Sequence, residues 1–254
     1  MAKEISAFVR AMVGAACLFA AIGLSVPAFA APDTLREGLF GPRASEGRTG
    51  DAPIVARYVS EDGLGFVFDR SSRRALLKFD NSPEVWALSR HPAPRGDLIY
   101  KNDLGRPMLR ATRVGGVTLF TEARPDGLAA SLSGGGAPLR LTPLGPQVLA
   151  ERLLQASTRA SRSAKRLIRF EAEAAPDSSA LIGDTAIVAA EALARMARRR
   201  DAASHLSQVA RVRLVEGKKP SAVVRQQAMT ITVVTADGFA GRPSSARILD
   251  ALLD

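Results

Sequence analysis

From residue 54 onward the apolar residues come in short clusters, cut by turn residues at roughly ten-residue spacing. The clusters at 54–59, 66–68, 75–79, 85–88, 98–100, 108–112, 117–120 and 128–132 are rich in Val, Ile, Leu and Phe. Between them lie Glu61-Asp62-Gly63, Asp69-Arg70-Ser71-Ser72, Asp80-Asn81-Ser82-Pro83, Asn102-Asp103-Leu104-Gly105, Gly115-Gly116 and Arg124-Pro125-Asp126-Gly127. Seven or eight short segments bounded this way predict an antiparallel β meander over 53–133, a barrel or a sandwich. Trp86 falls within it and is expected in its core. Gly134-Gly135-Gly136-Ala137-Pro138 is expected to end the unit as a linker.

The period then changes. Leu149, Leu153, Ala156, Ala160, Ala164 and Leu167 recur at three- and four-residue steps after Pro146, which predicts a helix over 146–170. A second helix over 179–199, apolar around most of its circumference, is expected to be buried. Residues 201–208 allow a third, short helix. Strands follow within 209–235, with Glu216-Gly217-Lys218-Lys219-Pro220 read as a hairpin turn, and a closing helix over 245–253 carries Ile248, Leu249 and Leu252 as its stripe. The expected fold class is α+β: an N-terminal meander, a helical middle, then a C-terminal β hairpin and closing helix. The second unit spans 143–254.

The first thirty residues have another character. Lys3 and Arg10 precede an uncharged apolar run over 11–26, then Pro27 and the small-x-small triplet Ala28-Phe29-Ala30. This is the layout of a secretory signal peptide over 1–30, with cleavage expected between Ala30 and Ala31. An uncleaved anchor would need about 20 apolar residues, and a lipoprotein reading would need cleavage before Cys17, inside the apolar run. Residues 31–52, rich in Gly, Pro and charge, predict a disordered tether. The expected location is periplasmic or secreted, with no transmembrane segment after cleavage.

Four stretches together resemble an uncharacterised alphaproteobacterial family of signal-peptide-bearing proteins, a domain of unknown function. They are Gly65-Phe66-Val67-Phe68-Asp69-Arg70-Ser71, the run from Pro94 to Gly105, the run from Leu109 to Phe120, and Gly238-Phe239-Ala240-Gly241-Arg242-Pro243-Ser244-Ser245. The resemblance covers nearly the whole chain. It implies export and assigns no reaction and no catalytic residue.

Composition narrows the chemistry. Cys17 is the only cysteine, so a chain cleaved after Ala30 has no disulfide, no thiolate metal site and no Cys nucleophile. The net charge is +10, and cleavage lowers it by one. An exported basic protein is drawn to lipid head groups and acidic polysaccharides rather than to nucleic acid. H-E-x-x-H, G-x-S-x-G and phosphate-loop signatures are absent, and no cofactor or metal is called for. With two histidines, His91 and His205, a zinc site would have to use both.

Two candidate sites emerge. Arg159, Arg162, Arg166 and Arg169 fall on one face of the predicted first helix, with no acid between residues 152 and 170, and are the anion-binding candidates. Asp69, Asp80, Asp97 and Asp103 lie at strand ends, where two carboxyls could face each other across a barrel mouth, although Asp is favoured in turns for its own backbone bonds. The first reading is a non-enzymatic exported protein that binds an anionic envelope component or an envelope protein. The alternative is a cell-wall or polysaccharide hydrolase that uses the aspartates.

Overall fold

A computed structural model describes residues 52–253. The expected signal peptide, its expected cleavage site between Ala30 and Ala31, and residues 31–51 of the expected tether lie outside the described residues. Eight antiparallel strands form a closed barrel in sequence order: β1 (Val55–Ser60), β2 (Gly65–Asp69), β3 (Ala75–Phe79), β4 (Val85–Pro92), β5 (Leu98–Lys101), β6 (Pro107–Ala111), β7 (Val117–Thr121) and β8 (Arg124–Gly135). Of the two expected forms, the barrel is the one found, because β8 pairs with β1 as well as β7. Closure leaves no open edge.

Period-two alternation decides which side chains go inside. Phe66 pairs with Phe79 and Leu77 with Trp86, and Leu109 sits between Tyr100 and Leu119. Phe66, Leu77, Leu88, Leu109 and Leu119 are fully buried, and Phe68 meets Tyr100 edge-on at 4.9 Å between ring centroids. The interior is therefore a packed core and not a channel. The alternate positions Arg57, Lys78 and Arg110 point outward.

Two details of the meander differ from expectation. Arg124-Pro125-Asp126-Gly127 opens strand β8 and is not a turn. Gly134 and Gly135 pair with Arg57 and Ala56, so the glycine run closes the barrel before the chain leaves it.

The second part is built on a four-stranded sheet of order β11-β12-β10-β9, made of β9 (Arg169–Ala172), β10 (Arg211–Glu216), β11 (Ser221–Arg225) and β12 (Ala228–Val233). Strands β9, β10 and β12 run parallel, and β11 is antiparallel at the edge. Helices α1 (Pro146–Ala164), α2 (Ser179–Met196), α3 (Ala202–Leu206) and α4 (Ser245–Leu253) supply the other layer. Helix α2 is buried along nearly its whole length, as its all-round apolar sequence predicts. It shares one core with Ala156 and Ala160 of α1, Val212 and Leu214 of β10, Ile231 of β12 and Ile248 of α4.

Here the sequence reading needs two corrections. The first helix ends at Ala164, with Lys165 in the left-handed conformation as its cap (φ 52°), and residues 169–172 form strand β9. The connection at 216–220 is not a hairpin turn: β10 lies beside β12, and the hairpin is β11–β12, turned at Gln226-Gln227. Among the described residues no helix is long and apolar enough to cross a membrane.

Leu109 and its barrel neighbours are sealed, so Leu109→Ala is expected to cost about 2–5 kcal/mol. Denaturant titration would read this as a lower midpoint with an unchanged slope. A loss under 1 kcal/mol would mean that the barrel core can collapse around the deletion.

Candidate functional site

Consecutive strands of an up-and-down barrel alternate in direction, so the turns β1–β2, β3–β4, β5–β6 and β7–β8 share one end. The α/β layer docks on that end through the segment Arg242-Pro243-Ser244-Ser245. The chain reaches it by a close approach at Gly241, whose backbone C=O accepts the Val234 N–H at 2.7 Å. A Cβ there would lie 1.9 Å from the Val234 oxygen, so only glycine fits. Arg242 is buried. Its guanidinium is hydrogen-bonded to the Asp184 carboxylate of α2, donates to the Val85 carbonyl at 2.8 Å, and lies 3.8 Å from Glu84.

Glu84, only 2% exposed, accepts the Ser245 N–H at 2.8 Å and the Ser245 hydroxyl at 2.5 Å. Asp103 accepts the Ser244 N–H at 2.9 Å and the Ser244 hydroxyl at 2.5 Å, with Arg247 Nε at 3.2 Å. Two barrel carboxylates thus sit at the N-terminus of α4, where exposed N–H groups and the helix dipole favour negative charge. Burial pushes the Glu84 carboxyl above its ordinary range, against the opposing pull of Arg242 and the Ser245 bonds.

Beside this junction, still at the turn end, is a cleft of 650 Å³. Leu64, Phe79, Trp86, Met108 and Phe120 form its apolar wall, with Arg106, Glu122 and Arg195 at the polar end. Trp86 is only half-buried: it packs against the barrel core and also faces this cleft, which corrects its placement as a core residue. Arg195 projects from α2 and donates to the Ser245 hydroxyl at 3.1 Å and to Glu122 at 2.9 Å. A smaller pocket of 270 Å³ shares Arg106, Glu122, Arg195 and Ala246 and runs on to α4.

The four candidate aspartates do not meet. Asp69 and Asp97 lie at the opposite barrel end from Asp80 and Asp103. Each holds a partner: Asp69 accepts the Ser71 and Leu139 N–H groups, Asp80 pairs with Arg57, Asp97 with Arg110, and Asp103 caps α4. The one carboxylate among the residues lining the cleft is Glu122. This geometry lends no support to a carboxylate pair across the mouth.

The four arginines are also dispersed. Arg159, on α1, pairs with Glu191 of α2, and Arg162 is exposed on the same helix. Arg166, beyond the helix cap, donates to the Leu206 and Ser207 carbonyls at 3.3 and 2.7 Å. Arg169 begins β9. There it is brought next to Arg211, its register partner on β10, and the same row continues through Ala228 to Arg225. All three arginines are exposed, on the sheet face opposite the buried Val212 and Leu214.

A pocket of 260 Å³ at this end is lined by Leu167, Arg169, Ala210, Arg211, Gln226 and Gln227. Gln226 and Gln227 both have positive φ, 48° and 59°, as the two central residues of a two-residue hairpin turn do. Arg211 falls in the polar phase of the alternating run Val209-Ala210-Arg211-Val212-Arg213-Leu214-Val215. Its pairing with Arg169 depends on β9, which helical periodicity concealed. Arg106, Glu122 and Arg195 carry no signal in sequence, because only the docking of α2 on the turns assembles them.

The family model described as Domain of unknown function (DUF4908) matches residues 34–252. The chain belongs to this family. The match takes in both the barrel and the α/β layer, and with them the junction at Arg242–Ser245. Comparison with curated proteins and with solved structures gives no match. Membership of the DUF4908 family carries no assigned chemistry, so function has to be argued from the surfaces just described.

The aspartate partners make a pH dependence. The hydrogen bond from Arg110 holds the Asp97 carboxyl below its ordinary value. Burial raises that of Asp69, but hydrogen bonds from Ser71 and Leu139 outweigh it, and the net shift is down. Carboxyls depressed by folding confer stability above the unfolded value of about 4 and lose it as pH falls through the folded value. The melting temperature should therefore drop below about pH 4, and Asp97→Asn should flatten that drop. An unchanged acid limb in the variant would show that Asp97 is not one of the groups responsible.

Proposed function

We propose that this is an exported, non-enzymatic protein of the periplasm or cell surface, which docks on an anionic component of the envelope. Export is argued from Lys3, Arg10, the apolar run and Ala28-Phe29-Ala30. The single observation that carries the docking reading is the side-by-side placement of Arg169 and Arg211. Like charges at neighbouring positions of a sheet oppose folding, strands in that direction lie about 4.8 Å apart, and among the described residues neither arginine has an acidic partner within salt-bridge reach. An anion between them relieves the repulsion, and guanidinium groups match phosphate and carboxylate oxygens two at a time.

Leu167, 61% exposed beside this pair, favours a lipid surface over a soluble polyanion. An exposed apolar side chain beside two cations is the kind of arrangement that an interfacial anchor uses.

Two measurements test the reading. Mass spectrometry of the protein from cells should find a mature N-terminus at Ala31, and retention of residues 1–30 on most molecules would overturn export. Co-sedimentation should show binding to phosphatidylglycerol vesicles and little to phosphatidylcholine, with binding lost in high salt. Arg169→Gln with Arg211→Gln should weaken it by about 1 kcal/mol per arginine, and Leu167→Ser should weaken it further. Equal binding by wild type and the double variant would overturn the docking surface. Loss with the arginines but none with Leu167→Ser would point instead to a soluble polyanion or an acidic envelope protein.

A further inference from the structure

The cleft at the turn end of the barrel plays no part in that docking, and its construction calls for a ligand of its own. One wall is apolar: Trp86 and Phe79 rise from the barrel interior, and Met108 and Phe120 also line the cleft. At 650 Å³ the space lies within the range of small-molecule sites, which run from about 300 to 1,000 Å³ and are mostly apolar with a few polar groups that fix orientation. Its charged groups are two cations, Arg106 and Arg195, and one carboxylate, Glu122, and all three also line the adjoining 270 Å³ pocket; Asn81, Asn102 and Thr121 complete the polar lining.

Arg195 is mostly buried and fixed from behind by Ser245. Its outward-facing contact is Glu122, whose side chain is 77% exposed at the turn between β7 and β8. Glu122 makes no other salt bridge among the described residues. An ion pair so exposed on one side adds little to stability. Arg106, the second cation at the rim, reaches Asp250 only at 3.8 Å. Arg195 is therefore a preorganised cation whose present carboxylate is easily displaced.

We propose that this cleft binds a small amphiphile with one anionic head, carboxylate or phosphate. The tail lies on Trp86, Met108 and Phe120, and the head replaces Glu122 on Arg195, with Arg106 beside it. The site is independent of the Arg169–Arg211 surface, so either can fail without the other.

Trp86 is the only tryptophan in the chain and lines the site, so its fluorescence reports occupancy directly. Titration with dodecanoate, below its micelle-forming concentration, should give a saturable change, and dodecanol should bind more weakly. Arg195→Gln should weaken dodecanoate roughly tenfold or more, the worth of one hydrogen bond to a charged group, and leave dodecanol unchanged. Arg106→Gln, an exposed change that spares the Ser245 contact, should weaken it in the same sense and carries the test should Arg195→Gln fail to fold. Glu122→Gln should tighten dodecanoate. Dodecyl phosphate in place of dodecanoate distinguishes the two head groups, the tighter of them naming the natural one. No saturable change with either head group, equal affinity for dodecanoate and dodecanol, or a Glu122→Gln variant that binds no more tightly would overturn the proposal.

Discussion

The structure depends on a buried guanidinium. Arg242 leaves the α/β layer and meets the barrel at Val85 and Glu84, while Asp184 of α2 holds its other edge. Removing such charges from water costs several kcal/mol per ion, and only close, multiple hydrogen bonds offset that cost. They are present: both Glu84 oxygens accept from Ser245, and the first turn of α4 is occupied by carboxylates from two different barrel turns. The charges are thus made tolerable only by elements that come from both halves of the chain. If the halves parted, Arg242 and Asp184 would stay paired on one side, but Arg242 would lose Val85 and Glu84, and Glu84 would lose both Arg242 and Ser245.

This junction also explains where the candidate sites lie. Docking of α2 and α4 onto the barrel turns places Arg195 at the rim of the cleft, and the same Ser245 that bonds Glu84 holds Arg195 in place. The apolar wall exists because the meander ends its interior stack at Phe79 and Trp86, where the turns open. The arginine row at one end of the exposed sheet face is a separate consequence of the parallel arrangement of β9 and β10. It stays open because all four helices contribute to the core on the sheet's other face.

Much of the architecture was readable from residue order. Turn residues at ten-residue spacing marked the barrel strands, except that Arg124-Pro125-Asp126-Gly127, read as a turn, opens β8; the all-round apolar 179–199 stretch announced a buried helix. Closure of the meander into a barrel was not readable, since it depends on β8 pairing with a strand some seventy residues earlier. Strand β9 was hidden because Leu167 continues the α1 stripe. Only the left-handed Lys165 cap, a tertiary outcome, ends the helix before it. The Arg242-Pro243-Ser244-Ser245 stretch was noticed as part of a resemblance, but its role could not be seen without Glu84 and Asp103, more than a hundred residues away. The four arginines do not share one helix face for a related reason: helical periodicity describes one element, whereas Arg166 lies beyond the helix cap and Arg169 on β9.

Calorimetry tests the junction most directly. If Arg242 couples the two halves, the wild-type protein should melt in a single transition whose calorimetric and van't Hoff enthalpies agree, and Arg242→Ala should split it into separate barrel and α/β transitions. Two transitions in the wild type, or one undiminished transition in the variant, would contradict the claim that this buried guanidinium makes the barrel and the α/β layer one cooperative unit.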